Sequence, residues 1–255
     1  MGAGIDGTGR IKSDETLFAI IEQLQERDGA GVSELARELD MAKSSIHKHL
    51  STMSEHGYVV KRNGTYHVGL QFLNVGEYAR DSYELYHAAK SQIHDLAAET
   101  GEMVWLIVPE NGLSWFLYGA KGNTEISEES IIGSRAYLHH NSGGKAIMAH
   151  LHSDEVERII DRHGLPAKTE NTITDRESLR TQLETIRERG YAVNHGEDIA
   201  GIHAIGVPLI FEGEVRGALS VAGAARRVTR NERESELVER LLAAADDVEV
   251  NLAYQ

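Results

Sequence analysis

The sequence contains no cysteine and no long apolar run, and each absence narrows what the protein can be. Without cysteine the chain forms no disulfide, holds no thiolate zinc site and uses no thiol nucleophile. The longest aliphatic run, VWLIV at 104–108, is far shorter than the roughly 20 residues of a membrane-spanning helix. The opening MGAGIDGTGR lacks the basic and apolar regions of a secretory signal. We therefore expect a cytoplasmic protein with no membrane partner.

Basic residues are scarce as well, with 26 lysines and arginines against 40 aspartates and glutamates, a formal net charge of −14. Such a surface suits a soluble protein, fits a salt-rich cytoplasm and repels polyanions at long range. A chain of 255 residues, 41% of them hydrophobic, can build one large domain or two ordinary ones. One segment departs from the acidic average: residues 41–69 hold four bases, one acid and four histidines, a net charge of +3.

Two helical patterns precede this basic segment, and a third helical pattern and a hairpin signal lie within it. Apolar residues recur at helical spacing in SDETLFAIIEQLQERDG, and VSELARELD continues as a short second helix. KSSIHKHLSTMSEHG puts Ile46, Leu50 and Met53 on one face of a third helix. YVVKRNGTYHVG then carries Asn63-Gly64 between two β-rich runs, the signal of a two-residue hairpin turn. This order predicts a winged helix-turn-helix.

The opposite face of the third helix suits a DNA major groove. Hydroxyl groups and lysines there can meet base edges and phosphates, and a basic wing can reach the backbone. Taken alone, a basic helix face is also compatible with a merely solvated surface. The predicted DNA-contacting residues are Lys43, Ser44, Ser45, His47, Lys48 and Ser51 on the helix, and Lys61 and Arg62 on the wing.

The rest of the chain predicts strands packed with helices. MVWLIV and LSWFLYGA read as a hairpin, and AIGVPLI and VRGALSVA flank a turn at 212–214. Thr174 with Glu177 has the spacing of a capping box at the start of a helix. These patterns indicate an α+β domain after the DNA-binding segment.

Three stretches resemble the IclR family of transcriptional regulators. MAKSSIHKHLSTMSEHGYVV at 41–60 is similar to the family's recognition-helix motif, LHHNSGGKAIMAHL at 138–151 resembles its effector-domain signature, and 190–223 follow its order of loop and strands. The composition resembles an acidic, haloarchaeal type of member. The resemblance implies an α+β chain with an N-terminal winged helix-turn-helix, a linker helix and a GAF-like α/β effector-binding domain. The expected boundaries are a flexible tail at 1–12, the DNA-binding domain at 13–70, the linker helix at 71–88 and the effector domain at 89–255.

The resemblance also implies a buried pocket for a small-molecule effector. The Gly-rich loop passes into a helix near Ser142, and a helix start suits an anion. Members that bind small keto-acids tend to show Asp, Cys and two Ser at the last four of the positions named below, so a different ligand is expected. Asparagine and serine at the pocket would suit a sugar-derived one. The residues carried over are His139, Asn141, Ser142, Gly143, Asn194, Ala204, Ser220 and Ala222.

Thirteen histidines raise the question of a metal site or a hydrolase. The chain has no HExxH, no Gly-x-Ser-x-Gly and no Walker-type loop, since Gly143-Gly144-Lys145 lacks the spaced glycines and the following Ser or Thr. Scattered histidines are the better interpretation, so we predict no catalytic residue, no metal and no cofactor.

Two functions remain open from the sequence. The first is a transcriptional regulator that binds a palindromic operator on double-stranded DNA as a dimer or dimer of dimers and controls carbon-source catabolism. The resemblance to the IclR family implies these target genes, with sugars, sugar acids or aromatic acids as candidate signals. The alternative is a metabolite-binding or hydrolytic enzyme domain fused to a winged helix that serves for protein contact.

Overall fold

The structure is a computed structural model that describes residues 11–123, 131–229 and 232–254. The chain divides into an N-terminal unit, residues 1–79, and a C-terminal unit, residues 80–255. The flexible tail expected at 1–12 lies outside the described residues, apart from its last two positions. Among the described residues, no helix has both the length and the apolarity needed to cross a membrane.

The N-terminal unit is the predicted winged helix-turn-helix. Asn63 and Gly64 form the hairpin turn with φ values of 49° and 86°, the left-handed conformation that a two-residue turn requires. The paired strands of the hairpin are antiparallel. Its elements are α1 (Lys12–Glu26), α2 (Val32–Glu38), α3 (Lys43–Glu55), β1 (Val59–Arg62) and β2 (Thr65–Val68).

One apolar cluster holds these five elements together. Ile20 and Leu24 of α1, Leu35 of α2, and Ile46 and Leu50 of α3 are all buried in it. Within α1 and within α3 these residues lie four apart, so a single stripe of each helix faces the cluster. The opposite side of α3 is consequently free to face solvent.

The segment after the wing forms two helices, α4 (Gln71–Asp81) and α5 (Glu84–Thr100). The linker helix expected over 71–88 therefore ends at Asp81. Tyr83 causes the break, since its backbone is extended and its hydroxyl donates to the carboxylate of Glu110 at 3.1 Å. Every residue of α4 is exposed or half-buried, whereas α5 buries a stripe in the C-terminal unit.

The C-terminal unit is built on a six-stranded sheet in which every neighbouring pair is antiparallel. The strands are β3 (Met103–Glu110), β4 (Leu113–Lys121), β5 (Arg135–Tyr137), β6 (Ala192–His195), β7 (Ile202–Phe211) and β8 (Glu214–Ala224). Their order in the sheet is β5-β4-β3-β8-β7-β6. Both predicted hairpins are present, with positive φ at Asn111 and Gly112 in one turn and at Glu212 and Gly213 in the other.

Helices cover both faces of this sheet, which gives the expected α+β architecture. The remaining helices are α6 (Ser142–His150), α7 (Ser153–His163), α8 (Arg176–Arg189), α9 (Ala225–Val228) and α10 (Arg233–Ala253). Because side chains alternate along a strand, Val104 and Leu106 of β3 lie in a core with α5 and α10. Met103, Trp105 and Ile107 of β3 lie in a second core with α6, α7 and α8.

Candidate functional site

α3 presents a polar face on the side away from the N-terminal core. Ile46, Leu50 and Met53 are buried and orient the helix. The Oγ atom of Ser51 lies 3.3 Å from Nδ1 of His47, one helical turn earlier. Of the predicted contact residues on α3, Ser45 is half-buried and the others are exposed: Lys43, Ser44, His47, Lys48 and Ser51.

The cations of α3 and the wing have no carboxylate partners within the described chain. Lys43 and Lys48 on α3, and Lys61 and Arg62 on β1, make no ion pair there. The Nζ atom of Lys61 lies only over the Tyr66 ring, 5.2 Å from its centre. By contrast, the guanidinium of Arg27, between α1 and α2, pairs with Glu34 at 3.2 Å and Glu38 at 3.0 Å. In the N-terminal unit, α3 and the wing therefore carry four described cations that make no ion pair.

A cavity of about 400 Å³ lies over one face of the sheet in the C-terminal unit. Small-molecule pockets typically measure roughly 300–1,000 Å³. Met103, Trp105 and Ile107 of β3 line it at alternate positions, together with Phe116 of β4. Gly119 of β4 makes room for the indole of Trp105, because a Cβ at Gly119 would lie 2.3 Å from that ring.

The structure brings six of the eight predicted effector residues to the cavity wall. Four of them come from three neighbouring strands, since Asn194 of β6 pairs with Ala204 of β7, Ala204 pairs with Ala222 of β8, and Ser220 lies on β8 as well. The six are Asn141, Ser142, Asn194, Ala204, Ser220 and Ala222.

His139 and Gly143 are not among the described residues that line the cavity. The Nε2 atom of His139 donates to the carbonyl oxygen of Pro166 at 3.1 Å, beside a separate void of about 10 Å³. Burial lowers the pKa of His139 to about 4, so its ring is neutral near pH 7. Gly143 packs against Ile107, where a Cβ would lie 2.6 Å from Cδ1. Gly143 thus belongs to α6 and packs it against β3, whereas His139 precedes α6 and bonds the connection between α7 and α8.

α6 begins at the cavity wall with a side-chain cap. Oδ1 of Asn141 accepts the backbone N–H of Gly144 at 2.7 Å, and Nδ2 donates to Oγ of Ser114 at 3.1 Å. The next hydroxyl, Oγ of Ser142, lies 2.9 Å from Oγ of Ser220 on β8. The cap and the hydroxyl pair together fix the start of α6 against the sheet.

Lys145 of α6 is fully buried and forms an ion pair that the sequence did not predict. Its Nζ donates to both carboxylate oxygens of Glu197, at 2.6 and 2.7 Å, and to the carbonyl of Val193 at 2.9 Å. Burial lowers the pKa of Lys145, and the Glu197 carboxylate acts in the opposite direction. Glu197 lies in the β6–β7 loop, whose next two residues, Asp198 and Ile199, line the cavity. The ion pair thus ties α6 to the cavity wall.

The β6–β7 loop is also bonded to the connection between α7 and α8. Lys168 donates to Asp198 at 2.5 Å, and both residues lie at the cavity wall. The hydroxyl of Thr172 donates to the carbonyl of Glu197 at 2.7 Å. These bonds hold the two loops together on one side of the cavity.

Sequence reasoning missed the large apolar residues of the lining and these loop bonds. The apolar part had a signal, since Met103, Trp105 and Ile107 alternate in MVWLIV and must share one face of a strand. The contact between Lys168 and Asp198 had no signal in the sequence, because the two residues are thirty positions apart and meet only in the folded chain. Within the described ranges, no three His, Asp or Glu side chains are placed to hold a metal.

Comparisons with known proteins cover both units of the chain. The family model "Bacterial transcriptional regulator IclR C-terminal" matches residues 78–250, and "IclR helix-turn-helix domain" matches 16–63. The chain is 33% identical to the "Probable HTH-type transcriptional regulator ArcR" of Halobacterium salinarum, over 95% of this chain and 94% of that one. It is 29% identical to the HTH-type transcriptional regulator KdgR of Escherichia coli, over 96% and 94%. The crystal structure of the Thermotoga maritima IclR superposes with a TM-score of 0.79 at 28% identity, covering 94% of this chain and 97% of that one.

Proposed function

The chain belongs to the IclR family of DNA-binding transcriptional regulators, and from that premise we propose that it controls genes of carbon-source catabolism in response to a small metabolite. It acts in the cytoplasm on double-stranded DNA. The α3 face and the wing bind the operator, and the cavity of the C-terminal unit takes the effector. The effector shifts the population between arrangements with different affinity for DNA.

The DNA-binding half of this proposal rests on the unpaired cations of α3 and β1. A chain with a net charge of −14 keeps four cations on its predicted DNA face that have no carboxylate partner among the described residues. Phosphate contacts supply most of the sequence-independent affinity for DNA, and short hydroxyl groups beside them can meet base edges. Ser44 and His47 are exposed among these cations. This single observation best supports contact with an operator.

The proposed binding to a palindromic operator requires at least two copies of the chain. Helix-turn-helix regulators read two half-sites with two symmetry-related recognition helices, which accounts for palindromic operators. The N-terminal unit leaves large apolar side chains exposed, including Phe18 of α1 at 62% and Tyr78 of α4 at 80%. Exposed apolar groups of this size support an interface between copies. We propose a dimer or a dimer of dimers.

The enzyme alternative is wrong. The two matched family models and the named relatives are transcriptional regulators rather than enzymes. The winged helix is accordingly a DNA-binding module of a regulator, and we assign the protein no catalytic residue.

Operator binding is tested with DNA from upstream of the chain's own gene and of the neighbouring operon. We expect a shift in fluorescence anisotropy with a footprint of two symmetric half-sites, and a much weaker response to scrambled DNA of the same length and composition. The titration is repeated from low to high salt, because phosphate contacts weaken as counterions rise. Folded protein that binds neither fragment at any salt concentration would overturn the proposal.

A further inference from the structure

The lining of the cavity is mainly apolar. Ten of the eighteen described lining residues carry only hydrocarbon, aromatic or thioether side chains, with Trp105 and Phe116 in edge-to-face contact at 5.6 Å. A polyhydroxylated ligand would lose its water here and find few partners, which is unfavourable. An apolar ligand would gain from the same burial.

The two asparagines of the wall are committed to the protein itself. Asn141 caps α6 and bonds Ser114, as described above. Asn194 donates through Nδ2 to the carbonyl of His140, and its Oδ1 accepts the backbone N–H of Glu197 at 3.0 Å. Their amides build the loops around the cavity, so they offer a ligand little hydrogen bonding.

The charged side chains of the described lining are either paired with each other or turned toward the opposite face of the sheet. Lys168 and Asp198 neutralise each other at 2.5 Å. The guanidinium of Arg135 lies 5.9 Å from the ring centre of Trp115, a residue that packs against the core formed with α5 and α10. The described lining therefore directs no unpaired charged group into the cavity.

Serine hydroxyls are the exception: Ser134 makes no side-chain hydrogen bond within the described chain, and the Ser142–Ser220 pair has a proton to spare. Both residues are nearly fully buried, at 1% and 3% exposure, and the 2.9 Å contact between their hydroxyls uses one of two protons. The second proton has no acceptor among the described residues. Ser142 is also the first residue of α6, at the positive end of the helix dipole. This point of the wall favours a hydrogen-bond acceptor, most of all an anionic one.

We propose that the effector has an apolar body, aromatic or branched aliphatic, and one hydrogen-bond-accepting head group such as a carboxylate that binds at Ser142 and Ser220. Polyhydroxylated sugar acids are excluded. The inference rests on the proposed function, which makes this cavity the effector site, and it replaces the sugar-derived ligand expected from the sequence.

The chain supplies its own reporter for this test. It has two tryptophans, of which Trp105 lines the cavity and Trp115 does not, so Trp115→Phe leaves a single tryptophan at the site. Benzoate, phenylacetate and 4-methylpentanoate are titrated against D-gluconate and D-galacturonate, with Trp105 fluorescence as the readout. We expect at least one apolar-bodied acid to bind at least 100-fold more tightly than either sugar acid. The reverse order, or no fluorescence response to any of the five, would overturn the inference.

Two serine variants test the head-group contact. Ser142→Ala with Ser220→Ala removes both hydroxyls and should weaken the tightest acid about tenfold, the loss expected for a hydrogen bond to a charged group. Ser153→Ala is the control, because Ser153 is exposed at the start of α7 and is not among the described residues that line the cavity. Both single variants, Ser142→Ala and Ser220→Ala, should lose less than the double variant, since either remaining hydroxyl can donate. Equal affinity in the double variant and the control would contradict the assignment.

Operator binding measured on the same preparations separates the two proposals. A protein that binds its operator but prefers sugar acids remains a regulator and refutes only the ligand class. A protein that binds apolar acids but no operator refutes the proposed function and leaves the cavity chemistry standing.

Discussion

At the scale of single residues, Lys48 offers a direct test of the DNA-contacting face. It lies in the middle of α3, is exposed, and makes no ion pair within the described chain. If its ammonium contacts a phosphate, Lys48→Ala should weaken operator binding and lower the slope of log K against log salt by about 0.9, one counterion released per phosphate. Anisotropy titrations at five salt concentrations measure this slope.

Lys90→Ala is the control for Lys48. Lys90 lies on α5 in the C-terminal unit, where its ammonium stands 5.6 Å from the Tyr86 ring centre. We expect its removal to leave the slope unchanged. If Lys48→Ala also leaves the slope unchanged while reducing affinity, Lys48 contacts a base edge instead of a phosphate.

Gly144 is required by close packing at the start of α6. A Cβ at this position would lie 2.2 Å from the carbonyl oxygen of Leu138 and 2.6 Å from Oγ of Ser114. Gly144→Ala should therefore lower the free energy of unfolding by several kcal/mol, on the order of 3, because backbone must move. Urea unfolding measures the change.

Gly76→Ala is the matched substitution for Gly144. Gly76 lies inside α4, and a Cβ there would meet nothing within 4 Å. We expect it to be neutral or to stabilise the protein by up to about 1 kcal/mol, the difference between glycine and alanine in a helix. Equal destabilisation by both substitutions would show that the tight contact at Gly144 relaxes at little cost.

At the scale of elements, the Lys145–Glu197 ion pair joins α6 to the β6–β7 loop. Its two side chains are 0% and 5% exposed, so Lys145→Met leaves a carboxylate buried without its partner. This should destabilise the protein by about 3–5 kcal/mol in urea unfolding. The double variant Lys145→Met with Glu197→Leu should recover at least half of that loss in stability, because the buried charge is gone.

The exposed pair of Arg180 and Glu157 is the control for this prediction. Its atoms are as close, at 2.6 Å, but the side chains are 55% and 33% exposed. Arg180→Met should cost less than about 1 kcal/mol, since water screens the charges. A cost for Lys145→Met no larger than for Arg180→Met would mean that Glu197 escapes to solvent and that the loop is not fixed by the pair.

Local sequence rules predicted the elements of this fold well where a single residue type decides the conformation. The Asn63-Gly64 turn is one such case, because those two residues tolerate positive φ. The same rules failed where two adjacent residues can both cap a helix, or where a distant contact ends one. α8 is capped by Asp175 rather than Thr174, since the carboxylate of Asp175 accepts both the N–H and the hydroxyl of Ser178, at 2.8 and 2.9 Å. The linker helix ended early because Tyr83 bonds Glu110, a contact twenty-seven positions away.

The candidate cavity shows the same division. Six wall positions followed from the family resemblance, and three more could have followed from strand alternation in MVWLIV. The chemistry of the cavity wall could not be predicted from the sequence, because it depends on which polar groups are already hydrogen-bonded within the protein. Asn194 looks like a ligand-binding amide in the sequence, yet in the fold its amide holds His140 and Glu197. Only the three-dimensional partners distinguish a structural amide from a recognising one.

At the scale of the whole molecule, charge is distributed unevenly along the chain. Residues 71–255 hold eighteen bases and thirty acids, whereas residues 41–69 carry a net charge of +3. An acidic C-terminal unit discourages nonspecific binding to polyanions at long range. In a salt-rich cell, where the Debye length falls to about 3 Å at 1 M, operator binding would depend mainly on groove fit and base contacts.

The proposed dimer makes a prediction that separates assembly from DNA contact. Tyr78 is 80% exposed on α4, in the same unit as the DNA-binding face. If it lies between copies, Tyr78→Glu should bury a carboxylate against apolar surface and shift the protein to monomers in sedimentation equilibrium. A monomer loses the gain from binding two half-sites at once, so its affinity for the full palindrome should fall at least about a hundredfold, while its affinity for one isolated half-site stays unchanged.

Tyr254→Glu is the matched control, because Tyr254 is equally exposed, at 87%, but follows α10 at the other end of the chain. The Tyr254→Glu substitution should change neither the mass of the protein in solution nor its affinity for the operator half-sites, unless the dimers associate further through α10. Loss of half-site binding in Tyr78→Glu would instead mean that α4 supports the DNA face directly. Retained dimers in both variants would require the interface to be built by other exposed groups, with Phe18 of α1 the next position to substitute.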